Sequence, residues 1–532
     1  MLAADIELTN LTTPVDLVGG SIFIGDSWIT PIRHRLLRTL VIESGERVAI
    51  ACLERFPGDP SGTEHVRVAG DRGIADHLDR VRAHLLDWAV LGIDRRSGTV
   101  SWQASDVHAA PIYLRAEATR VRIDWDCSRL LREDGVVTID REAMMAHLAG
   151  RARYTSRTLV SGLYRSVAGA TLVAHDAAVE TRLPPPRGAP GPQELSAGTS
   201  PEDMLFDTIG ALLSARDLDL RRTAIEVSGG MDSALVALAA ADRLGPGLLS
   251  YGAQFGGTMG DAQRGRRDLL CRHGRFQDIA FPADRFLPFS PQSPRRRRFG
   301  VWPQDENYPE MFETIFDVLA RAGIDTLTSG FGGDELYTAY VGEQHDEQDD
   351  APAPDDHPFL TEAGRSLAER GTGDGTTDIV AETSWLSTHG RAQRLLRRGI
   401  WPIYPYINPV LARYVAALPL DYRRDRMLLR RTLTARLGDP VFERDYIKES
   451  FRDVAVAGIS DNRGWLRGLV ARSPLLDAEL VDLEKVLAAL DSDIDTLPRA
   501  TFGFLFTLLA ACCFFDEQSA LDGPAYADRH HR

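Results

Sequence analysis

Hydrophobic and polar positions alternate in short runs over the first third of the chain. Three such runs, bounded by Gly, Pro or Asp, lie at 21–25, 47–51 and 120–124. Short runs rich in β-branched residues between such breakers are typical of β-strands. Helical spacing interrupts them twice, at 74–91 and 141–148. Residues 1–185 are therefore predicted to form a mostly β domain.

A Pro- and Gly-rich stretch at 183–192 ends this half and predicts a linker over 186–200. Beyond it, helical segments alternate with short apolar strands. The predicted helices are 204–216, 234–243, 261–273 and 315–322, and the predicted strands are 224–227, 248–251 and 325–328. Such alternation is typical of a doubly wound parallel sheet, which binds ligands at the carboxyl ends of its strands. We expect residues 201–532 to form this α/β domain.

One segment of the second half has no clear helical or strand periodicity in its hydrophobic residues. Residues 342–378 are rich in Asp, Pro and Gly, which predicts a mobile or disordered insertion. Two interpretations are open, a lid over a nearby site and a solvated acidic loop without a task. The chain from 391 to 518 has helical period again and is expected to pack against the sheet.

Charge and composition narrow the class of protein. The chain has 532 residues, a net charge of -15 and five cysteines without metal-ligand spacing. Acidic proteins bind nucleic acid poorly, and scattered cysteines of odd number are typical of reduced thiols. The longest apolar run, 502–515, is too short to cross a bilayer. The first residues turn acidic at once, and from this we expect no signal peptide. We expect a cytoplasmic protein without a nucleic-acid partner or a membrane span. The arginine run at 295–298 is expected to lie on a solvated face or on a surface that binds a partner.

The stretch at 225–233, Ile-Glu-Val-Ser-Gly-Gly-Met-Asp-Ser, places a glycine loop between a strand and a helix. The N–H groups of such a loop and the helix dipole form a socket for phosphate oxygens. The loop is neither a Walker loop nor a Rossmann fingerprint. It is typical of enzymes that cleave ATP between the α and β phosphates. The candidate ATP contacts are Val227, Ser228, Gly229, Gly230, Asp232 and Ser233.

A second glycine loop, Ser-Gly-Phe-Gly-Gly-Asp-Glu at 329–335, follows another predicted strand. Gly330 and Gly332 allow close backbone approach, and Asp334 supplies a carboxylate opposite Asp232. Two carboxylates around Mg²⁺ bound to a triphosphate suit α–β cleavage, because the metal offsets charge on the leaving pyrophosphate. Both loops lie at carboxyl ends of strands in one predicted sheet. They therefore predict one crevice that binds ATP and Mg²⁺, with Asp232 and Asp334 as metal ligands.

With these loops, the chain from about 100 to 460 resembles the asparagine synthetase superfamily. The further matching segments are 157–165, 167–170, Asp261, 404–409, 426–430 and 448–451. The resemblance implies an N-terminal degenerate Ntn-glutaminase-like αββα domain and a C-terminal doubly wound parallel sheet of the adenine nucleotide α-hydrolase (PP-loop) type. It also implies that Lys448 and Arg426 are catalytic, and that Ser250 and Gly252 contact the nucleotide.

Two departures from this family bear on function. A glutaminase of the family needs an N-terminal cysteine nucleophile, whereas position 2 is Leu2 and the first cysteine is Cys52. Family members without that cysteine include β-lactam-type synthetases and the macrolactam cyclases of lasso peptide biosynthesis. Phe331 replaces the tyrosine or glutamate of other members, and it cannot exchange a proton. Phe331 and Trp401 either line an apolar pocket for a large peptide or fill the hydrophobic core.

The resemblance is closest to a lasso peptide macrolactam synthetase. It implies that a precursor peptide's Asp or Glu side chain is adenylated and attacked by the peptide's own N-terminal amine. A leader-binding protein and a leader peptidase are the implied partners. Amide synthesis on a small metabolite and a non-catalytic scaffold remain alternatives. Glu382 and His389 are candidates either for proton removal or for structural hydrogen bonds.

Overall fold

A computed structural model of the chain describes residues 1–134, 137–151, 153–185, 190–337, 358–371, 379–442, 449–476 and 479–519. The fold is mixed α/β, with three sheets and helices around them. The strands are β1 (Leu2–Glu7), β2 (Val15–Val18), β3 (Ser21–Ile24), β4 (Ser27–Pro31), β5 (Leu37–Glu43), β6 (Arg47–Glu54), β7 (Gly62–Arg67), β8 (Trp88–Asp94), β9 (Thr99–Ala104), β10 (Tyr113–Ala116), β11 (Arg120–Asp124), β12 (Tyr164–Arg165), β13 (Thr171–His175), β14 (Ala178–Arg182), β15 (Thr223–Glu226), β16 (Leu249–Gln254), β17 (Gln277–Pro282), β18 (Thr326–Thr328) and β19 (Trp401–Ile403).

Helices occur in both halves and dominate after the last strand. They are α1 (Gly70–Arg82), α2 (Cys127–Asp134), α3 (Arg141–Leu148), α4 (Pro201–Ser214), α5 (Met231–Leu244), α6 (Gly257–Gly274), α7 (Pro309–Arg321), α8 (Gly333–Leu336), α9 (Glu362–Arg370), α10 (Glu382–Leu396), α11 (Pro409–Ala416), α12 (Leu420–Arg423), α13 (Met427–Leu437), α14 (Arg452–Asp461), α15 (Arg463–Arg472), α16 (Leu483–Asp491) and α17 (Arg499–Phe514). None of the helices described is long and apolar enough to cross a membrane.

Two seven-stranded sheets make up the first half. Their strand orders are β12-β10-β11-β1-β4-β3-β2 and β14-β13-β9-β8-β6-β5-β7. Neighbouring strands are antiparallel except for the parallel pair β5 and β7. Along β6, Ile50 belongs to a core that both sheets share, whereas Ala51 packs towards Ile74 of α1. Successive side chains of a strand point to opposite faces, so this strand is apolar on both sides because both of its faces are covered.

The third sheet is parallel throughout, in the order β17-β16-β15-β18-β19. Along β15, Ala224 packs in a core with Phe312 of α7, and Ile225 packs in the core that contains α5. Helices therefore cover both faces, and the predicted doubly wound parallel sheet is confirmed. Strands β17 and β19 were not predicted.

Three expectations need correction. The helix predicted over 74–91 ends at Arg82, because Trp88–Asp94 pairs as a central strand of the second sheet. Within the expected insertion at 342–378, residues 362–370 form α9, which begins at a Thr361 cap and packs on α3; residues 342–357 and 372–378 lie outside the described residues. In the arginine run at 295–298, Arg295 is only 3% exposed and pairs with Glu310 at 3.2 Å.

Candidate active site

The first loop is closed by its own serine hydroxyls. Ser233 Oγ accepts the Ser228 N–H at 3.1 Å, and Ser228 Oγ accepts the Gly230 N–H at 3.1 Å. Gly229 has φ +90°, which a side chain would strain, and an added Cβ would lie 2.9 Å from Gln263 Cγ. The turn from β15 into α5 is therefore compact, and only glycine fits its tightest point.

The second loop lies directly against the first. A Cβ on Gly330 would come within 2.4 Å of Ser233 N and 2.6 Å of the Asp232 carbonyl carbon. Gly332 has φ +89°, so the second loop also turns at a glycine. The strands that precede the loops, β15 and β18, are neighbours in the parallel sheet. The structure thus brings both predicted loops together at the carboxyl edge of that sheet.

Arg426 bridges the two predicted metal ligands. Its Nη1 donates to Asp232 Oδ2 at 3.0 Å, and its Nη2 pairs with Asp334 Oδ1. Asp425 and Arg426 both have left-handed backbones, with φ of 51° and 56°. This conformation costs about 1–2 kcal/mol for each non-glycine residue. Strain of this kind often marks a functional position, and here it directs a guanidinium at two carboxylates.

The two loops enclose a cavity of about 230 Å³. It is lined by Glu226, Ser228, Gly230, Asp232, Ser233, Ser329, Gly330, Phe331, Gly332, Asp334, Glu335 and Ser387. Carboxylates, hydroxyls and backbone groups dominate this lining. The cavity can therefore bind a polar ligand that carries both phosphate oxygens and a coordinating cation.

Two residues predicted to contact the nucleotide, Ser250 and Gly252, do not line the cavity. Ser250 donates to Asp278 Oδ1 at 2.6 Å, and Asp278 also pairs with Arg267 at 2.7 Å. A Cβ on Gly252 would meet Arg267 Nη1 at 1.9 Å and the Val227 oxygen at 2.4 Å. The Arg267 side chain thus occupies the space next to Gly252. The structure does not bring Ser250 and Gly252 to the cavity.

Lys448 lies outside the described residues. Glu449, which follows it in the chain, pairs with Arg266. Arg266 in turn donates from Nε to the Gly229 oxygen at 2.8 Å. The first loop is therefore tied to the segment that begins at Glu449.

The two aromatic residues expected to share a pocket are separated. Phe331 lines the cavity, with its ring stacked 4.0 Å from the guanidinium carbon of Arg391. Trp401 is buried at the contact between the two halves, where its Nε1 donates to Glu54 Oε1 at 2.6 Å. Only Phe331 can contact a ligand in this cavity.

Three other expected residues make structural contacts. Glu382 pairs with Arg153 and accepts the Tyr154 N–H at 2.8 Å. His389 is hydrogen-bonded through Nε2 to the His108 oxygen at 2.8 Å, and burial lowers its pKa to about 3. Asp261 is 75% exposed and lies 3.7 Å from Arg264. For Glu382 and His389, these contacts favour structural hydrogen bonds over proton removal.

Sequence reasoning missed Gln263 and Glu226. Gln263 Nε2 donates to the Ser228 oxygen at 2.7 Å and to the Ala253 oxygen at 2.9 Å, joining the first loop to β16. Glu226, buried at the end of β15, accepts hydrogen bonds from Ser329 and Arg391. The sequence offers one signal for Glu226, which is the only charged residue in the apolar run 224–227. A charge in a buried strand normally needs a partner, so this position indicates an ion pair or a ligand.

The donor set fits Mg²⁺. Carboxylate oxygens are its preferred protein ligands, and one or two of them plus substrate phosphates are usual. Asp232 and Asp334 supply two such carboxylates, already close enough to share Arg426. Across the described ranges, no three His, Cys, Asp or Glu side chains converge as a preformed metal site.

Comparison of the chain with protein-family models and with curated proteins finds no match.

Proposed function

We propose that this protein is an ATP-dependent, AMP-forming amide ligase. The observation that carries the proposal is the meeting of Asp232 and Asp334 at Arg426, above a cavity formed by two glycine loops. Two carboxylates and a cation at the carboxyl edge of a parallel sheet suit binding of a metal–triphosphate. The fold adds support, because both loops start from adjacent central strands.

The residues take the following roles in this proposal. The first loop and the N-terminus of α5 bind ATP phosphates through N–H groups and the helix dipole. Asp232 and Asp334 would hold Mg²⁺, which offsets negative charge on the departing pyrophosphate. Arg426 stabilises charge that develops at the α phosphorus, and Lys448 is assigned the same task from the family resemblance.

The substrate is proposed to be a precursor peptide. Its Asp or Glu side-chain carboxylate attacks the α phosphorus of ATP, which gives an acyl-adenylate and pyrophosphate. Its N-terminal amine then closes a macrolactam and releases AMP. Phe331 at the cavity supports this choice, since a peptide α-amine needs less base assistance than an amide nitrogen. The proposed partners are a leader-binding protein and a leader peptidase.

We also propose a finer fold type for each half of the chain. Two packed sheets with α1 against the second and α2 against β11 of the first are compatible with a degenerate Ntn-glutaminase-like αββα domain. The parallel sheet with its two glycine loops is compatible with the PP-loop type.

Exchange of labelled pyrophosphate into ATP tests the proposal. The assay compares peptides that carry a free N-terminal amine and one Asp or Glu side chain with free Asp, free Glu and other small acids. We expect exchange that depends on a peptide. Exchange with small acids but not with peptides would indicate that the substrate is a small metabolite. Absence of exchange with every acid would contradict ligase activity.

A further inference from the structure

Glu226 has one oxygen available to a ligand. The residue is 8% exposed and lines the cavity. Its Oε2 accepts hydrogen bonds from Ser329 Oγ at 2.7 Å and from Arg391 Nη1 at 2.8 Å. Among the described residues, no group donates to its Oε1. This oxygen is not among the fully buried acceptors without a partner, so it is open to the cavity that Glu226 lines. A carboxylate oxygen only accepts hydrogen bonds, and it can therefore bind a ligand that carries N–H groups.

Arg391 holds this carboxylate in place. It is 1% exposed, and its guanidinium carbon lies 4.0 Å from the Phe331 ring and 4.1 Å from the Phe312 ring. Nη1 binds Glu226, and Nη2 binds Glu306 Oε2 at 2.7 Å. A guanidinium fixed between two rings and two carboxylates cannot easily rotate. Glu226 is thereby kept at the cavity wall with its charge compensated.

Three other carboxylates line the cavity with Glu226. Asp232 and Asp334 are the proposed metal ligands, and Glu335 accepts a hydrogen bond from Ser384. Tyr251 and Tyr404 lie in the same buried cluster as Glu226, and burial raises the pKa of both hydroxyls. Both tyrosines are therefore neutral at physiological pH. Phe331, which also lines the cavity, cannot accept a proton.

We propose that Glu226 Oε1 binds the attacking amine of the substrate and accepts its proton, an inference that rests on the proposed function. In the ring-closing step, the amine nitrogen bonds to the acyl carbon, and the bond from that carbon to the AMP oxygen breaks. AMP leaves with the electron pair, and the amine proton passes to Glu226 Oε1. A correctly placed proton acceptor contributes about 10²- to 10⁴-fold to such a step.

The test compares Glu226→Gln with Glu306→Gln. Both substitutions remove one carboxylate from Arg391, but Glu306 is not among the residues that line the cavity. The substrate is the peptide that supports exchange by the wild-type enzyme. Three rates are measured for each protein: pyrophosphate exchange, ring closure, and hydroxamate formation with hydroxylamine, a small amine that is neutral at pH 7.

We expect Glu226→Gln to lose ring closure by about 10²- to 10⁴-fold, with much smaller losses of exchange and hydroxamate formation. We expect Glu306→Gln to close the ring far faster than Glu226→Gln. Equal losses in the two variants, or parallel losses of exchange and closure in Glu226→Gln, would show a structural role and overturn the inference. Normal ring closure by Glu226→Gln would also overturn it, whereas a wild type without exchange would overturn the proposed function as well.

Discussion

Arg426 donates a hydrogen bond to Asp232 at 3.0 Å, although 194 positions separate them in the chain. The same guanidinium pairs with Asp334 on the second loop. Two carboxylates this close repel each other, and a cation between them offsets that repulsion. Arg426 therefore links both loops and supplies positive charge where a triphosphate is proposed to bind.

Replacing Arg426 with Met tests this role. We expect pyrophosphate exchange to fall by about 10²- to 10³-fold, the range found when one charge-stabilising donor is removed. Arg424→Met is the matched control, because Arg424 is an exposed arginine two residues earlier. The control should keep exchange within about twofold, as is usual for exposed surface positions. Equal activity of the two variants would contradict the assignment.

Gly330 is the second point to test, since a methyl group there would come within 2.4 Å of Ser233 N. Gly330→Ala should force the loops apart, destabilise the protein by about 1–3 kcal/mol and weaken ATP binding. Chemical denaturation and ATP titration measure the two effects. Gly503→Ala is the control, because an added Cβ in α17 meets nothing within 4 Å. That control should be neutral or stabilising by up to about 1 kcal/mol.

The positions of the two loops could be predicted from the sequence, but the contacts of Glu226 could not. The two loops could be predicted because each has a local glycine motif and follows a strand of one parallel sheet. Loops at the carboxyl ends of such strands lie at the same edge of the sheet, where ligands bind. The pair Glu226–Arg391 spans 165 positions, and no local pattern names Arg391 as the partner. Strand β8 was mistaken for helix because a long apolar run looks alike in a helix and in a strand buried on both faces. Long-range pairing therefore limited the prediction more than local chemistry did.

Glu54 connects the two halves through a buried ion pair. It is 1% exposed in its side chain and binds Arg216 at 2.6 Å, beside its hydrogen bond with Trp401. Glu54→Gln leaves Arg216 without a counter-charge, so we expect a loss of about 3–5 kcal/mol in stability. The exposed pair of Arg96 and Glu46 is the control, and Glu46→Gln should cost less than about 1 kcal/mol. Similar midpoints of denaturation for both variants would contradict this role of Glu54 at the contact between the two halves.

Asp87 predicts a pH dependence of stability. Burial, aided by the charge of Glu54, raises the pKa of Asp87 from 3.8 to about 7. The folded state then binds the proton more tightly than the unfolded chain does. This contribution to stability is complete below about pH 4 and is lost as the pH rises to about 7.

Asp87→Asn mimics the protonated carboxyl at every pH. Its amide can donate to Ser105 and accept the Ala109 N–H, the two groups that bind Asp87 at 2.5 and 2.8 Å. We expect the unfolding midpoint of the variant to rise relative to wild type as the pH increases from 4 to 7. A difference that does not change with pH would show that Asp87 does not titrate in this range.

In the proposed reaction, a substrate carboxylate attacks the α phosphorus of ATP. Carboxylate labelled with oxygen-18 in the active peptide tests it most directly, with mass spectrometry of the nucleotide product. The account predicts AMP that carries one labelled oxygen for each amide formed. Labelled inorganic phosphate together with ADP, or AMP without label, would contradict it.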